Sequence, residues 1–328
     1  MQERPVTFSK NVFLPLTTVC RNRCGYCGFR TPVQAGCLMA PAVVEQTLKS
    51  GAVQGCTEAL FTFGERPEEE PGFSALIQAA GYRTILDYCE TICKKSIAYG
   101  VLPHTNAGIL TFDEMERLRP VNASMGLMLE TTAQVPAHAT SKGKEPEVRL
   151  AMIEDAGRLK IPFTTGLLLG IGETMADRED SLFAIRDIHR HYGHIQEIII
   201  QNFCPKPGTP MATHPVPRTD EICVTIRMAR DILPEDIAIQ IPPNLIDASL
   251  LIACGVDDLG GVSPLTIDYV NPEHPWPAVD ELRKLVGERG LRERLCIYPQ
   301  YIEKRWYDRG LEPLINRLAQ TVYGRRGP

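Results

Sequence analysis

Eight short apolar segments of strand character alternate with longer stretches of helical periodicity along this chain, and no other feature limits its fold as much. The strand-like runs are 12–17, 59–63, 102–106, 124–130, 163–169, 197–202, 238–241 and 258–262. Helical stretches fall at 41–50, 84–100, 112–118, 146–159, 175–192, 219–232 and 245–253. A helix between two strands supplies the long crossover that parallel pairing requires. Repeated along the whole chain, the pattern predicts an α/β fold, a parallel (β/α)8 barrel of the TIM type with helices outside and further helices at the C-terminal end. An open doubly wound sheet is the competing architecture. The 26 prolines and 26 glycines are spread through the 328 residues rather than pooled in a linker, so a single barrel domain spanning 1–328 is expected.

Composition narrows the partners. No apolar run approaches the length of a membrane span. The net charge is −5 and there is no basic tract, so nucleic acid and anionic membranes are poor partners.

In a parallel barrel the active site lies at the C-terminal ends of the strands. Polar residues end several of the predicted strands: Glu65, Asn106, Glu130, Asn202 and, just past the seventh, Asn244. Any one of them reads as a turn or cap residue; their repetition at the same end favours a shared pocket. The loop after the first apolar segment carries Cys20, Cys24 and Cys27 in the run Cys-Arg-Asn-Arg-Cys-Gly-Tyr-Cys. Thiolates at such spacing hold zinc or an iron–sulfur cluster, and a set of three leaves one metal position open. Cys37 is the nearest residue that could complete a structural zinc site, although the paired Cys-x2-Cys halves usual for zinc are absent. Eleven cysteines, an odd number, and no secretory signal argue against a disulfide framework. Cys89 and Cys93 recur with Ile85, Leu86, Ile92 and Ile97 at helical spacing and read as core thiols. Cys56, Cys204, Cys223, Cys254 and Cys296 form no second ligand group, so one cluster and a reducing, cytoplasmic setting are expected. His189, His191 and His194 lack metal-ligand spacing and are placed on a solvated helix end.

The cysteine loop, with Tyr26 before its third cysteine, resembles that of the radical S-adenosylmethionine (SAM) superfamily. The resemblance implies one 4Fe-4S cluster held by Cys20, Cys24 and Cys27, whose open iron chelates SAM as co-substrate. The superfamily's Gly-Gly-Glu motif corresponds here to Phe63-Gly64-Glu65, with the first glycine replaced. Glu130 and Arg149 match the acidic and basic cofactor contacts of the biotin-synthase-like branch, a carboxylate suiting ammonium or ribose hydroxyls and a guanidinium suiting a carboxylate. Residues 166–173 resemble the fifth-strand glycine motif, which implies that Gly170 passes close to adenine.

Within that branch, residues 61–68, 201–211 and 258–272 are similar to deazaflavin-forming enzymes of methanogens. The resemblance implies a small-molecule substrate, an adduct of a hydroxybenzyl group with a ribityl-diaminouracil. It also implies a tyrosine-using radical SAM partner subunit that makes the adduct, and a low-potential electron donor. Hydrogen abstraction, ring closure and loss of ammonia would follow. Asn106, Asn202 and Asn244 are the amides suited to the substrate, and His104, Asp257 and Asp258 the candidate acid–base groups. The rival readings are another member of the branch (a maturase, or a thiamine- or menaquinone-pathway enzyme) and a noncatalytic zinc or iron–sulfur electron-transfer protein.

Overall fold

The computed structural model describes residues 4–36 and 38–324; Cys37 lies outside them. Eight parallel strands close on themselves: β1 (Val6–Leu14), β2 (Glu58–Thr62), β3 (Leu102–Asn106), β4 (Ser124–Gly126), β5 (Phe163–Leu169), β6 (Ile195–Asn202), β7 (Ala238–Gln240) and β8 (Asp258–Val262). Closure comes from β1, which pairs with β8 through Thr7–Lys10 and with β2 through Asn11–Leu14. A ninth strand, β9 (Leu291–Glu293), runs parallel to the start of β1. The helices are α1 (Pro41–Val53), α2 (Phe73–Ala79), α3 (Ile85–Tyr99), α4 (Phe112–Leu118), α5 (Pro146–Arg158), α6 (Met175–Tyr192), α7 (Thr219–Ile232), α8 (Ala248–Ile252), α9 (Val279–Val286), α10 (Pro299–Glu303) and α11 (Glu312–Tyr323). No helix among the described residues is long and apolar enough to cross a membrane.

Local chemistry explains the helix starts. Thr84, Thr111 and Thr174 cap α3, α4 and α6, each in a reciprocal box with the acidic residue three positions on. The outward faces of the strands (Val12, Phe61, Ile198) and the inward faces of the helices (Leu48, Ile92, Ile185, Ile226) share one apolar core. Each fully buried side chain of this kind contributes roughly 1.5–3 kcal/mol.

Two strands differ from expectation by more than two residues. β1 begins at Val6 rather than residue 12, because Thr7 and Ser9 face the lumen, where they bond Asp258 and Glu58, and so break the apolar signal. β4 ends at Gly126 rather than 130; beyond it the chain still reaches β5 through the Leu127 N–H to the Thr164 carbonyl, 2.9 Å, and an isolated bridge at Glu130. Cys89 and Cys93 are buried beside Thr105. Two cysteines expected to be free are not: Cys223 on α7 and Cys254, just past α8, are joined by a disulfide with Cα atoms 5.6 Å apart. His189 and His194 are also not solvated. Both are buried, His189 accepting from the Ile195 N–H and His194 bonding the Ile153 carbonyl.

The N-terminal end of the lumen is closed by charge. Arg294, just past β9, donates to Asp258 at 2.6 and 2.7 Å and to Glu197 at 2.6 Å. The Tyr298 hydroxyl donates to the same two carboxylates at 2.9 and 3.0 Å, and Thr164 to Glu197 at 2.8 Å. Burial outweighs these contacts for Glu197, whose carboxyl is pushed up to about 7, and Glu58 is likewise raised. Three carboxyls around one guanidinium in a low-dielectric interior cannot all ionise cheaply.

Candidate active site

At the opposite end, the C-terminal ends of the strands surround a cavity of about 390 Å³. Ten of the residues singled out in the sequence line it: Cys20, Cys24, Cys27, Tyr26, Gly64, Glu65, Glu130, Arg149, Asn106 and Asn202. The cysteine loop is held against the second strand by the Arg21 N–H to the Glu65 carbonyl, 2.9 Å, and by the Gly64 N–H to the Thr17 carbonyl, 2.9 Å. A Cβ on Gly64 would collide with the Val19 carbonyl, so the close approach of loop and strand demands glycine there.

Glu65 is buried at the centre of this junction. Its carboxylate accepts from Arg21 Nε at 2.9 Å and the Ile109 N–H at 3.0 Å, with Arg149 at 3.9 Å. Burial pushes its pKa up, but the Arg149 guanidinium, the Ile109 N–H and Arg21 together outweigh it and hold the carboxyl below the usual range. Glu130 sits in left-handed backbone, φ 70°, at a position where only constraint from neighbours keeps a non-glycine residue. Its N–H donates to the Gly166 carbonyl at 2.9 Å, its carbonyl accepts from Leu168 at 3.1 Å, and its carboxylate pairs with Lys144. Again burial is overcome, here by Lys144 and Arg149, and the group is ionised. Arg149, on α5, donates to the Gly143 carbonyl at 2.8 Å and to the Met128 carbonyl. Tyr26 bonds His138 Nε2 at 3.1 Å.

The thiols suit a cluster rather than a single ion. Among the described residues no three His, Cys, Asp or Glu side chains converge closely enough for one metal ion, whereas a cuboidal cluster takes thiolates standing at separate corners. The Glu65 N–H donates to Cys20 Sγ at 3.2 Å, the kind of contact that tunes cluster sulfurs. Burial pushes the Cys20 thiol up to about 11 and raises Cys27 too, so the charge of bound iron is what would make them thiolates.

Five expected site residues lie elsewhere. Asp257 and Asp258 are at the N-terminal end of β8, Asp257 paired with Arg230 and Asp258 with Arg294, at the wrong end of the strand for the mouth. His104 is buried below the cavity; burial and the nearby Arg294 push it down to about 3. Ser124 gives its proton to the Cys296 carbonyl, so His104 Nδ1–H donates to Ser124 and Nε2 keeps a lone pair. Gly170 shapes a turn (φ 92°) with its N–H bonded to Glu173 at 2.8 Å. Asn244 stands behind the wall, donating to Asp268 at 3.0 Å. Sequence reasoning missed Lys144, Arg21 and His138 as partners, and Gln201, Gln240 and Trp276 as lining residues. Gln240 had a signal, as the polar residue that closes the otherwise apolar β7, whereas Gln201 stands one residue before the end of a β6 that also carries Gln196 and Glu197.

Residues 14–185 match the model of the Radical SAM superfamily. The closed parallel barrel described above fits that class of protein. Curated 7,8-didemethyl-8-hydroxy-5-deazariboflavin synthases align over nearly the whole chain. The Methanoregula boonei protein is 72% identical, covering 98% of each chain. That of Methanoculleus marisnigri is 66% identical (98% and 97% covered), and that of Archaeoglobus fulgidus 53% (96% and 97%). Among solved structures, the FeFe-hydrogenase maturase HydG from Carboxydothermus hydrogenoformans superposes with TM-score 0.68 at 19% identity, covering 89% of this chain and 68% of that one. Methylornithine synthase (PylB) gives 0.67 at 15%, covering 92% and 86%; these two share the fold. The chain therefore belongs to the radical SAM superfamily and, within it, to the 7,8-didemethyl-8-hydroxy-5-deazariboflavin synthase family. Membership brings a 4Fe-4S cluster and SAM with it.

Proposed function

We propose that this chain forms the deazaflavin 7,8-didemethyl-8-hydroxy-5-deazariboflavin (FO) from 5-amino-5-(4-hydroxybenzyl)-6-(D-ribitylimino)-5,6-dihydrouracil, acting as a single barrel in the cytoplasm. The observation that carries the reading is full-length identity of 53–72% to curated synthases of FO. Cys20, Cys24 and Cys27 would hold the cluster by three corners and leave the fourth iron for the amino and carboxylate groups of SAM. When bound, the cluster supplies one electron to the sulfonium, releasing methionine and a 5′-deoxyadenosyl radical.

The protein's own work is to bind, orient and exclude water. Glu65 is an anion at the height of the cysteine loop and suits the SAM ammonium. Glu130 suits the ribose hydroxyls, and Arg149 anchors the wall that carries both. Tyr26 and Gly64 shape the loop around the cofactor. The adduct, held by Asn106 with Asn202 beside it, must present one C–H bond to the radical with water kept out. The balance is explicit: one hydrogen atom leaves the adduct for deoxyadenosine, one proton passes to solvent, one electron would return to the cluster that supplied the first, and the amino group departs as ammonia on ring closure. SAM is thus a net two-electron oxidant. The enzyme is accordingly an ammonia-releasing carbon–nitrogen lyase. FO synthase subunit 2, the tyrosine-using radical SAM partner, would supply the adduct, and a low-potential donor the electron.

The test is an anaerobic assay of the iron-loaded enzyme with adduct, SAM and a strong reductant. Fluorescent deazaflavin and 5′-deoxyadenosine in equal amounts are expected. Deoxyadenosine without deazaflavin would leave the radical chemistry standing and overturn the substrate.

A further inference from the structure

Below the cysteine loop the cavity is floored by amides rather than charges. Asn106, Gln201 and Gln240 line it from β3, β6 and β7. No side-chain hydrogen bond joins these three amides to any described residue. Asn11, two residues before the lining Phe13 on β1, is completely buried, and neither its Oδ1 nor its Nδ2 has a partner. Unpaired buried amides are costly, and native structures rarely keep them without a reason.

The backbone makes room for these groups. Gly126 faces Asn106, Gly260 faces Gln240 and Gly261 faces Asn11; a Cβ at any of the three would collide with the amide opposite. Gly260 and Gly261 are consecutive, on the strand whose register with β1 shifts at this level. Leu60 and Ile199 supply apolar walls.

A carboxamide presents a donor and an acceptor side by side. That pair matches the O=C–N–H edge of a cyclic imide in two parallel hydrogen bonds, as amide side chains match nucleobase edges. Polyol hydroxyls are rotors that need no such pairing, and a charged ligand would call for a counter-charge that these residues do not carry.

We infer that Asn106, Gln201 and Gln240 form the subsite for the pyrimidinedione ring of the substrate. The inference rests on the deazaflavin-forming reading above and names the part of the substrate that the floor takes. The ribityl chain and the hydroxybenzyl ring then lie above, toward the loops.

The test uses the iron-loaded enzyme with the adduct as substrate, and 5,6-diaminouracil and ribitol as separate inhibitors. Diaminouracil should compete with the adduct, and ribitol should not. Gln240→Leu and Gln201→Leu should raise the KM for the adduct and the inhibition constant of diaminouracil roughly ten- to a hundredfold, with a smaller fall in kcat. The KM for SAM serves as internal control. Competition by ribitol alone, or KM values within about twofold of wild type in both glutamine variants, would overturn the subsite. If wild type makes no deazaflavin, the reaction assignment falls by itself, and calorimetric binding of 5,6-diaminouracil to wild type and Gln240→Leu still decides the subsite.

Discussion

Both ends of the barrel lumen bury an arginine among carboxylates, yet only one end is arranged to receive a ligand. At the mouth, Arg149, Arg21 and Lys144 face Glu65 and Glu130, and both carboxyls are held below their usual range. At the N-terminal end, Arg294 alone faces Asp258, Glu197 and Glu58, and burial raises the two glutamates. The mouth encloses a cavity, whereas the N-terminal end is closed by hydrogen bonds from Arg294, Tyr298, Thr164 and Ser9. The same residue types make a ligand site where cations are in excess and space is left, and a plug where carboxyls are in excess and every group is bonded.

The sharpest way to break this comparison is Cys24→Ala. It should abolish deazaflavin and deoxyadenosine together and lower bound iron, with the Tm of the iron-free protein unchanged. Persisting activity would mean that the mouth thiols are not the working end. Arg294→Met should do the opposite. It strands three buried carboxyls and should cost about 3–5 kcal/mol of stability by denaturant unfolding, while turnover per folded molecule stays near wild type. A selective loss of turnover without loss of stability would show that the N-terminal end takes part in the chemistry.

A subtler contrast lies in pH. Glu197 has a folded pKa near 7 against an ordinary 4.5, so the folded state binds more protons than the unfolded state between those values. Stability contributed by this group is therefore full below about 4.5 and is lost as pH rises toward 7. Glu197→Gln should flatten the decline of Tm across that window; an unchanged slope would mean that the raised carboxyl lies elsewhere. The smallest effect is expected from Cys89→Ala, a core thiol on α3: about 1 kcal/mol of stability, with activity intact.

Much of this was legible in the residue pattern because periodicity and strand-end placement carry it. The strands 102–106, 163–169 and 258–262 and the helices 112–118, 175–192 and 219–232 have the bounds expected from their runs. The first half of the first strand, Val6 to Asn11, was missed because its apolar residues alternate with lumen-facing Thr7, Ser9 and Asn11 and make no continuous apolar run. Asp258 opens the run 258–262, so chain direction alone places it at the end of the barrel away from the mouth; what the sequence hid was its partner, Arg294. That partner arrives 36 residues later, from β9, which no periodicity announced. Lys144 and His138 were invisible for a similar reason: their roles come from folding back onto Glu130 and Tyr26 across loops.

The central claim is that the three mouth thiols hold an open-sited cluster and that SAM is cleaved there to make a deazaflavin. The most direct measurement is a single anaerobic experiment that counts iron, sulfide, 5′-deoxyadenosine and deazaflavin in wild type and in a Cys20→Ala, Cys24→Ala, Cys27→Ala triple variant. Wild type should carry about four iron and four sulfide per chain and release the two products one for one, and the triple variant should do neither. Deazaflavin formed by the triple variant, or zinc in place of iron and sulfide in active wild type, would contradict the account.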